Sequence, residues 1–203
     1  MGANAVTTVP VYTAGEVLTA ADMNITNSGI PVFATTVTRD AAFGGAGEKT
    51  LAEGQFAYVE ASNATQYYDG AAWQTVGPTF SGAVVATSQT TTSTSYTDLT
   101  TAGPAVTLTT GTKAYVILTT YTFNNTANSV SNMGFAVSGA TTIAAADTAC
   151  LLFRGNIAGG QDIQASAVYE VTLTAGSNTF TSKYKVSGNT GTFANRGITV
   201  IAV

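Results

Sequence analysis

The chain has 203 residues and a mass of 20.5 kDa, enough for one ordinary domain, or for one domain with a small module and a tail. Only 9 % of its residues are charged, the formal net charge is −4, there is no His, and Cys150 is the single cysteine. This excludes a Ser-His-Asp triad, an imidazole metal site and an intrachain disulfide, and seven Lys plus Arg at a pI near 4.5 argue against a nucleic-acid binder.

No apolar run approaches the ~18 residues of a membrane span, and the opening MGANAVTTVP lacks the basic and apolar regions of a signal peptide. Hydrophobic residues reach 45 %, enough for a sizeable core. The 38 Thr, with many Val, favour pleated strands, while Gly and Asn punctuate turns, so the chain reads as mainly β. A surface of Thr, Ser, Asn and Ala with little charge favours association, which points to an assembled protein.

Residues 1–31 read as an arm. VPVYTAGEVLTAADMN starts extended, and Thr19 before Ala20, Ala21 and Asp22 is a helix-start signal with Thr as N-cap. The helix has room for little more than two turns before Asn24, Asn27, Ser28 and Gly29, so it must dock on something: its own domain or another protein.

Residues 32–77 read as a small β module. PVFATTVT is a predicted strand, and so is EGQFAYVEA, which alternates Phe56 and Tyr58 with Ala57 and Val59. In TQYYDGAAWQTVG, Asp69-Gly70 between β-type runs predicts a hairpin. Residues 1–79 hold seven acids and two bases, residues 80–203 four acids and five bases, so the charge steps from −5 to +1 next to the Gly77-Pro78 break, where a boundary is placed.

Residues 79–203 read as a β-sandwich of eight or nine short strands: 82–88, 94–99, 105–110, 113–123, 133–138, 149–155, 163–175, 178–186 and 196–203. KAYVILTTYTF is apolar on both faces and so is a central strand. In the last strand Ile198, Val200 and Ala202 lie on one face, Thr199, Ile201 and Val203 on the other. One face suits the sandwich core; the other suits a neighbouring subunit around a rotation axis, or a second layer of the same chain.

The ordered blocks VPVYTAGEVLTAADMN, TRDAA, LAEGQFAYVE and TQYYDGAAWQTVG resemble the N-terminal part of small virion structural proteins of tailed bacteriophages: minor tail proteins, or decoration and fibre proteins of the head. The resemblance covers residues 8–77 and implies that the first block is an attachment segment. The long Gly-rich loop between Phe43 and Gly54 departs from many relatives. The sandwich is similar, at the level of fold, to the trimeric jelly rolls of viral fibre heads and of tumour-necrosis-factor-like proteins. Together these imply a non-enzymatic, surface-exposed trimeric virion protein, held to capsid or tail through its arm. Its partners would be copies of itself and capsid or tail proteins, with no nucleic acid and no membrane, and it would be located in the virion after assembly in the host cytoplasm. The alternative is a receptor- or carbohydrate-binding module of a tail tip, with host surface glycan as partner.

No catalytic, cofactor or metal residue is assigned. Glu48 with Glu53 and Glu60 with Asp69 are the carboxylate pairs available for glycoside hydrolysis, and neither sits at the end of a sandwich strand. Ser182 and Lys183 are adjacent on a strand and point to opposite faces. Asp147 and Asp162 are isolated, and no acidic Ca²⁺ loop appears. Gly44-Gly45-Ala46-Gly47 follows no strand-to-helix pattern, so it is no phosphate loop. Cys150 within ACLLF reads as a small core hydrophobe. Tyr67, Tyr68 and Trp73 have two readings, a sugar-stacking platform or the core of the small module; the core is the stronger.

Overall fold

A computed structural model describes residues 9, 11–20, 29–45, 48–155 and 161–203, and the chain divides into two compact units, residues 1–77 and 78–203. The proposed arm helix falls largely on residues 21–28, outside the described residues.

The first unit is a four-stranded sheet in the order β1 (Val32–Phe33), β2 (Phe56–Val59), β3 (Ala64–Tyr68), β4 (Trp73–Thr75), with β1 parallel to β2 and the other pairs antiparallel. The predicted strand PVFATTVT is a strand only at its start. Thr36–Asp40 forms a helical turn, α1, because the Thr35 hydroxyl accepts from the Thr38 amide while Thr38 Oγ1 accepts from the Thr35 amide. This reciprocal cap satisfies free helix-end donors and outweighs the β preference of Thr and Val. The predicted hairpin joins β3 and β4 through a four-residue loop. There Asp69 Oδ1 accepts from the amides of Ala71 and Ala72, and Gly70 takes the left-handed φ of +94° that the turn requires. Val9 is buried with Phe33, Ala42 and Ala57, and its backbone bonds to Ala42 and Lys49, so the arm contributes to this core.

The second unit is a sandwich of two sheets. Its strands are β5 (Thr79–Val85), β6 (Gln89–Thr91), β7 (Ala105–Thr110), β8 (Lys113–Asn124), β9 (Val130–Gly139), β10 (Cys150–Arg154), β11 (Asp162–Thr172), β12 (Gly176–Val186) and β13 (Gly191–Ala202). One sheet has the order β10-β9-β12-β7. The other has β11-β8-β13-β5, with β6 also on β13. Apart from β9–β10, successive long strands alternate between the sheets, which is the eight-stranded jelly roll. The chain is a mainly β protein with a jelly-roll sandwich.

Strand β8 lies between β11 and β13, as its two-sided apolar pattern predicts. Residues 94–99 are not a strand; their backbone pairs with the sheet at Thr97, bonded to Tyr184, and Leu99 enters the core, while the short strand β6 precedes them. The core gathers Val116, Leu118, Phe193, Ile198 and Val200 from one sheet and Met133, Phe135, Val137, Leu151, Phe180 and Tyr184 from the other. Each large side chain buried there contributes about 1.5–3 kcal/mol.

Strand β13 is longer than the sequence suggests and carries a β-bulge between Ala194 and Gly197, with Asn195 at φ +48°. The extra residue switches the alternation, so that Phe193 before the bulge and Arg196, Ile198 and Val200 after it are all buried. Thr79 pairs with Ala202, so the chain enters the sandwich at the end where β13 finishes. At the opposite end the loops 125–129 and 187–190 are bonded together, Asn125 to Thr190 and Asn189 to Ser129.

Candidate functional site

In the small module the structure splits the predicted aromatic cluster. Trp73 stacks with Tyr68 at 5.7 Å and with Phe43 at 5.9 Å, and Phe43 packs on buried Phe33. The buried Arg39 guanidinium lies 4.6 Å over the Trp73 ring and bonds to Asp40 and Gln66. Trp73 and Tyr68 therefore belong to the core, with Arg39 and Asp40 as its polar clamp. Tyr67 points to the other face and pairs with exposed Phe56 at 6.3 Å. Beside Phe56 lies a cavity of about 400 Å³ lined by Ile30, Lys49, Glu53, Gly54 and Gln55 among others, with Lys49 bonded to the Gln55 side chain. Of the predicted carboxylates, Glu48 accepts from the Gly45 amide and Asp69 is consumed by its own turn, whose amides hold its carboxyl below the usual range.

On the outside of the β10-β9-β12-β7 sheet a polar cluster surrounds Cys150. Asp147 accepts from Lys185 at 2.7 Å, from Tyr96 at 3.0 Å and from Asn132 at 3.3 Å. Asn132 Nδ2 also lies 3.6 Å from the Cys150 sulfur, which donates to the Asp147 carbonyl. The Lys185 and Tyr96 bonds hold the Asp147 carboxyl below its usual range, whereas burial pushes the Tyr96 phenol and the Cys150 thiol up. A buried thiol held protonated is a poor nucleophile. A thiol reagent at neutral pH is expected to leave Cys150 unmodified in the folded chain and to react fully in denaturant; fast labelling of the native protein contradicts this placement.

Asp69, Asp147 and Glu170 all have carboxyls lowered by hydrogen bonds, Glu170 through Lys113 and then Tyr115. The unfolded chain therefore binds protons first, and the stability these groups supply is present above the unfolded value and lost as pH falls through the folded ones. Melting temperature is expected to hold steady from neutral pH to about pH 5 and to drop below about pH 4, with a shallower drop in Asp147→Asn.

Ser182 is buried in the core while Lys183 points outward to Asp98 at 2.7 Å, so the pair does not meet. Asp162 accepts from the Tyr121 hydroxyl, at a distance from Asp147 along the fold. Among the described residues no three Cys, Asp or Glu side chains gather as metal ligands.

The outer faces of the two sandwich sheets differ. The face around β12 shows Thr107, Thr179, Lys183 and Lys185, with a Thr107–Thr179 hydroxyl bond and ion pairs to Asp98 and Asp147. The face around β13 is apolar. Register aligns Phe80, Ile201, Tyr115 and Glu170 in one row, Gly82, Thr199, Ile117 and Val168 in the next, and Val84, Gly197, Thr119 and Ser166 in a third. Phe80, Val84, Tyr115 and Val168 are exposed, and Ile117 and Ile201 half-buried.

Sequence reasoning missed Phe56 as the exposed partner of Tyr67, although strict alternation along EGQFAYVEA already sets Phe56 opposite Ala57 and Val59. It also missed that Arg196 is buried; a charge in an apolar run is the one signal available.

No protein-family model matches the chain, and no curated protein matches it. Among solved structures it is similar to the structure of infectious bursal disease virus Gx strain, at 8 % identity and a TM-score of 0.46, covering 68 % of this chain and 38 % of that one. The Gt strain gives 10 % identity and a TM-score of 0.47 over 67 % of this chain and 33 % of that one. A VP2 subviral particle of the same virus gives 9 % and 0.46 over 73 % and 38 %. The chain thus spans little more than a third of the length of these proteins. The jelly-roll assignment rests on the strand order itself.

Proposed function

We propose that the chain is a non-enzymatic structural protein of a tailed-phage virion, a surface-exposed homotrimeric decoration or fibre protein attached to capsid or tail through residues 1–31. The observation that carries this reading is the layout of the jelly roll. The chain enters the sandwich beside the end of β13, and the loops 125–129 and 187–190 close the opposite end. Entry at one end and bonded loops at the other give the sandwich itself two distinct ends, as a decoration protein requires. The blocks resembling phage virion proteins lie in the tethering part. Three arms on one particle would add avidity without any new contact.

Light scattering on the size-excluded full chain is expected to give three times 20.5 kDa, and a monomer at micromolar concentration removes the trimer. Deleting residues 1–31 is expected to abolish attachment to particles.

A second reading, a glycan-binding module, draws on the exposed Phe56–Tyr67 pair beside the cavity with Glu53 and Gln55, since aromatic faces next to hydrogen-bonding groups suit sugar rings. Glycan-array binding lost in Tyr67→Ala would favour it. Trp73→Ala cannot serve as that test, because Trp73 is core.

A further inference from the structure

We propose that copies of this chain meet through the outer face of the β11-β8-β13-β5 sheet, centred on Phe80, Val84, Ile117, Val168 and Ile201. This rests on the homotrimer reading and names the surface that closes it.

Area is the first argument. Phe80 is 78 % exposed, Val84 72 %, Val168 59 % and Tyr115 39 %, so these four residues alone show roughly 450 Å². That is already the size of the largest patch on a typical monomer. The half-buried Ile117, Ile201, Thr119 and Thr199 in the same rows bring the face toward the about 800 Å² per partner of a stable interface.

The contrast with the opposite sheet is the second argument. Both outer faces carry ion pairs, Lys183–Asp98 and Lys185–Asp147 on one and Lys113–Glu170 at the margin of the other, yet only the second gathers the exposed Phe80, Val84 and Val168 around its centre. The apolar face is therefore a local feature and not a by-product of low charge.

Charge selects the occupant. Lys113 and Glu170 lie on this face and neutralise each other at 2.8 Å, with Tyr115 as a further donor to Glu170, and Asp162 at the far end is bonded to Tyr121. Such a face neither attracts a charged partner nor repels its own copy. What fits is a flat, pleated, near-neutral apolar surface, and this chain brings one in each copy. Around a threefold axis each copy would turn this face toward the axis and meet both neighbours along it.

The test uses the full chain. Phe80→Asp with Val168→Asp is compared with wild type and with Leu152→Asp, an exposed apolar position on the other sheet. Circular dichroism checks the fold and light scattering gives the mass. The proposal expects a trimer for wild type and Leu152→Asp, and a monomer with an unchanged spectrum for the double variant. As a second readout that leaves the face apolar, Val168→Cys is labelled with a maleimide, Cys150 being buried; the introduced thiol is expected to react at least tenfold more slowly than one introduced by Leu152→Cys. A trimer that persists in the double variant, or equal labelling at both positions, overturns this surface and leaves the trimer standing. A wild-type monomer overturns both.

Discussion

Arg196→Ala is expected to lower the unfolding free energy of the sandwich by about 3–5 kcal/mol. Among the described residues Arg196 is the largest of the fully buried side chains, and no carboxylate is buried with it in the core. Its guanidinium donates instead to the carbonyls of Thr101 at 3.3 Å and Gly103 at 3.4 Å and to Gln89 Oε1 at 3.1 Å, and it lies 5.2 Å over the Tyr184 ring. Tyr184 donates to the same Gly103 carbonyl, and burial pushes its phenol up to about 12. One side chain on β13 thus fastens the long connection between β6 and β7 to the core. Truncation leaves a cavity and takes a donor from three acceptors, of which the Gly103 carbonyl keeps Tyr184 and Gln89 Oε1 keeps the Thr101 amide, and the cavity and the lost hydrogen bonds each cost of order 1–3 kcal/mol. Arg196→Lys keeps the charge but cannot fork to three acceptors, so it is expected to recover only part of the loss. Arg196→Met fills the volume without burying a charge and separates the two causes: it restores the cavity share and not the hydrogen-bond share. Urea titration followed by tyrosine fluorescence gives the midpoints. A midpoint for Arg196→Ala within error of wild type would falsify the role given to this residue.

Gly139→Val is expected to cost about 3 kcal/mol or more and to cut soluble yield. Gly139 closes β9 at φ +108°, a backbone conformation that side chains with a Cβ rarely adopt. A Cβ there would overlap the Ser177 carbonyl oxygen, which also accepts from the Ala140 amide. That neighbour is backbone held by the Gly139–Asn178 pairing, so it cannot swing aside as a side chain would. Gly139→Ala carries most of the penalty, because the overlap begins at Cβ. A melting temperature for Gly139→Ala within two or three degrees of wild type, each kcal/mol being worth about 3–6 °C in a unit of this size, would show that the β9 end can relax.

The β class and most sandwich strands were legible because Thr- and Val-rich runs alternate between turn residues. KAYVILTTYTF announced a central strand because both of its faces are apolar, and β8 is covered on one side by the core while the other lies in the exposed apolar face. Misreadings came where a side chain outbid local preference. Thr35 caps a helical turn inside a β-branched run. Residues 94–99 look like a strand, but Tyr96 folds over the sheet onto Gly134, filling the space a Cβ would take. Among candidate residues, alternation separates Tyr67 from Tyr68 but does not say which face is inside; packing on Phe43 and Arg39 decides it. Arg196 was illegible for a further reason. Its acceptors are backbone carbonyls from a distant loop, and no residue type in the sequence encodes a carbonyl.

The position of β13 bears on how the sandwich comes into being. Strand β13 sits between β5 and β8, so both wait with open edges until residues 191–202 arrive. Closing loops of that length before any contact is gained makes folding slow, in the range of other β-sandwiches rather than of helical bundles. During synthesis the growing chain holds Val116, Leu118 and the unpaired edges exposed, a state in which strands of neighbouring chains can pair wrongly. Low temperature and slow expression should therefore raise the yield of correctly closed protein, and any truncation that removes part of β13 should forfeit the whole sandwich and not only its last strand.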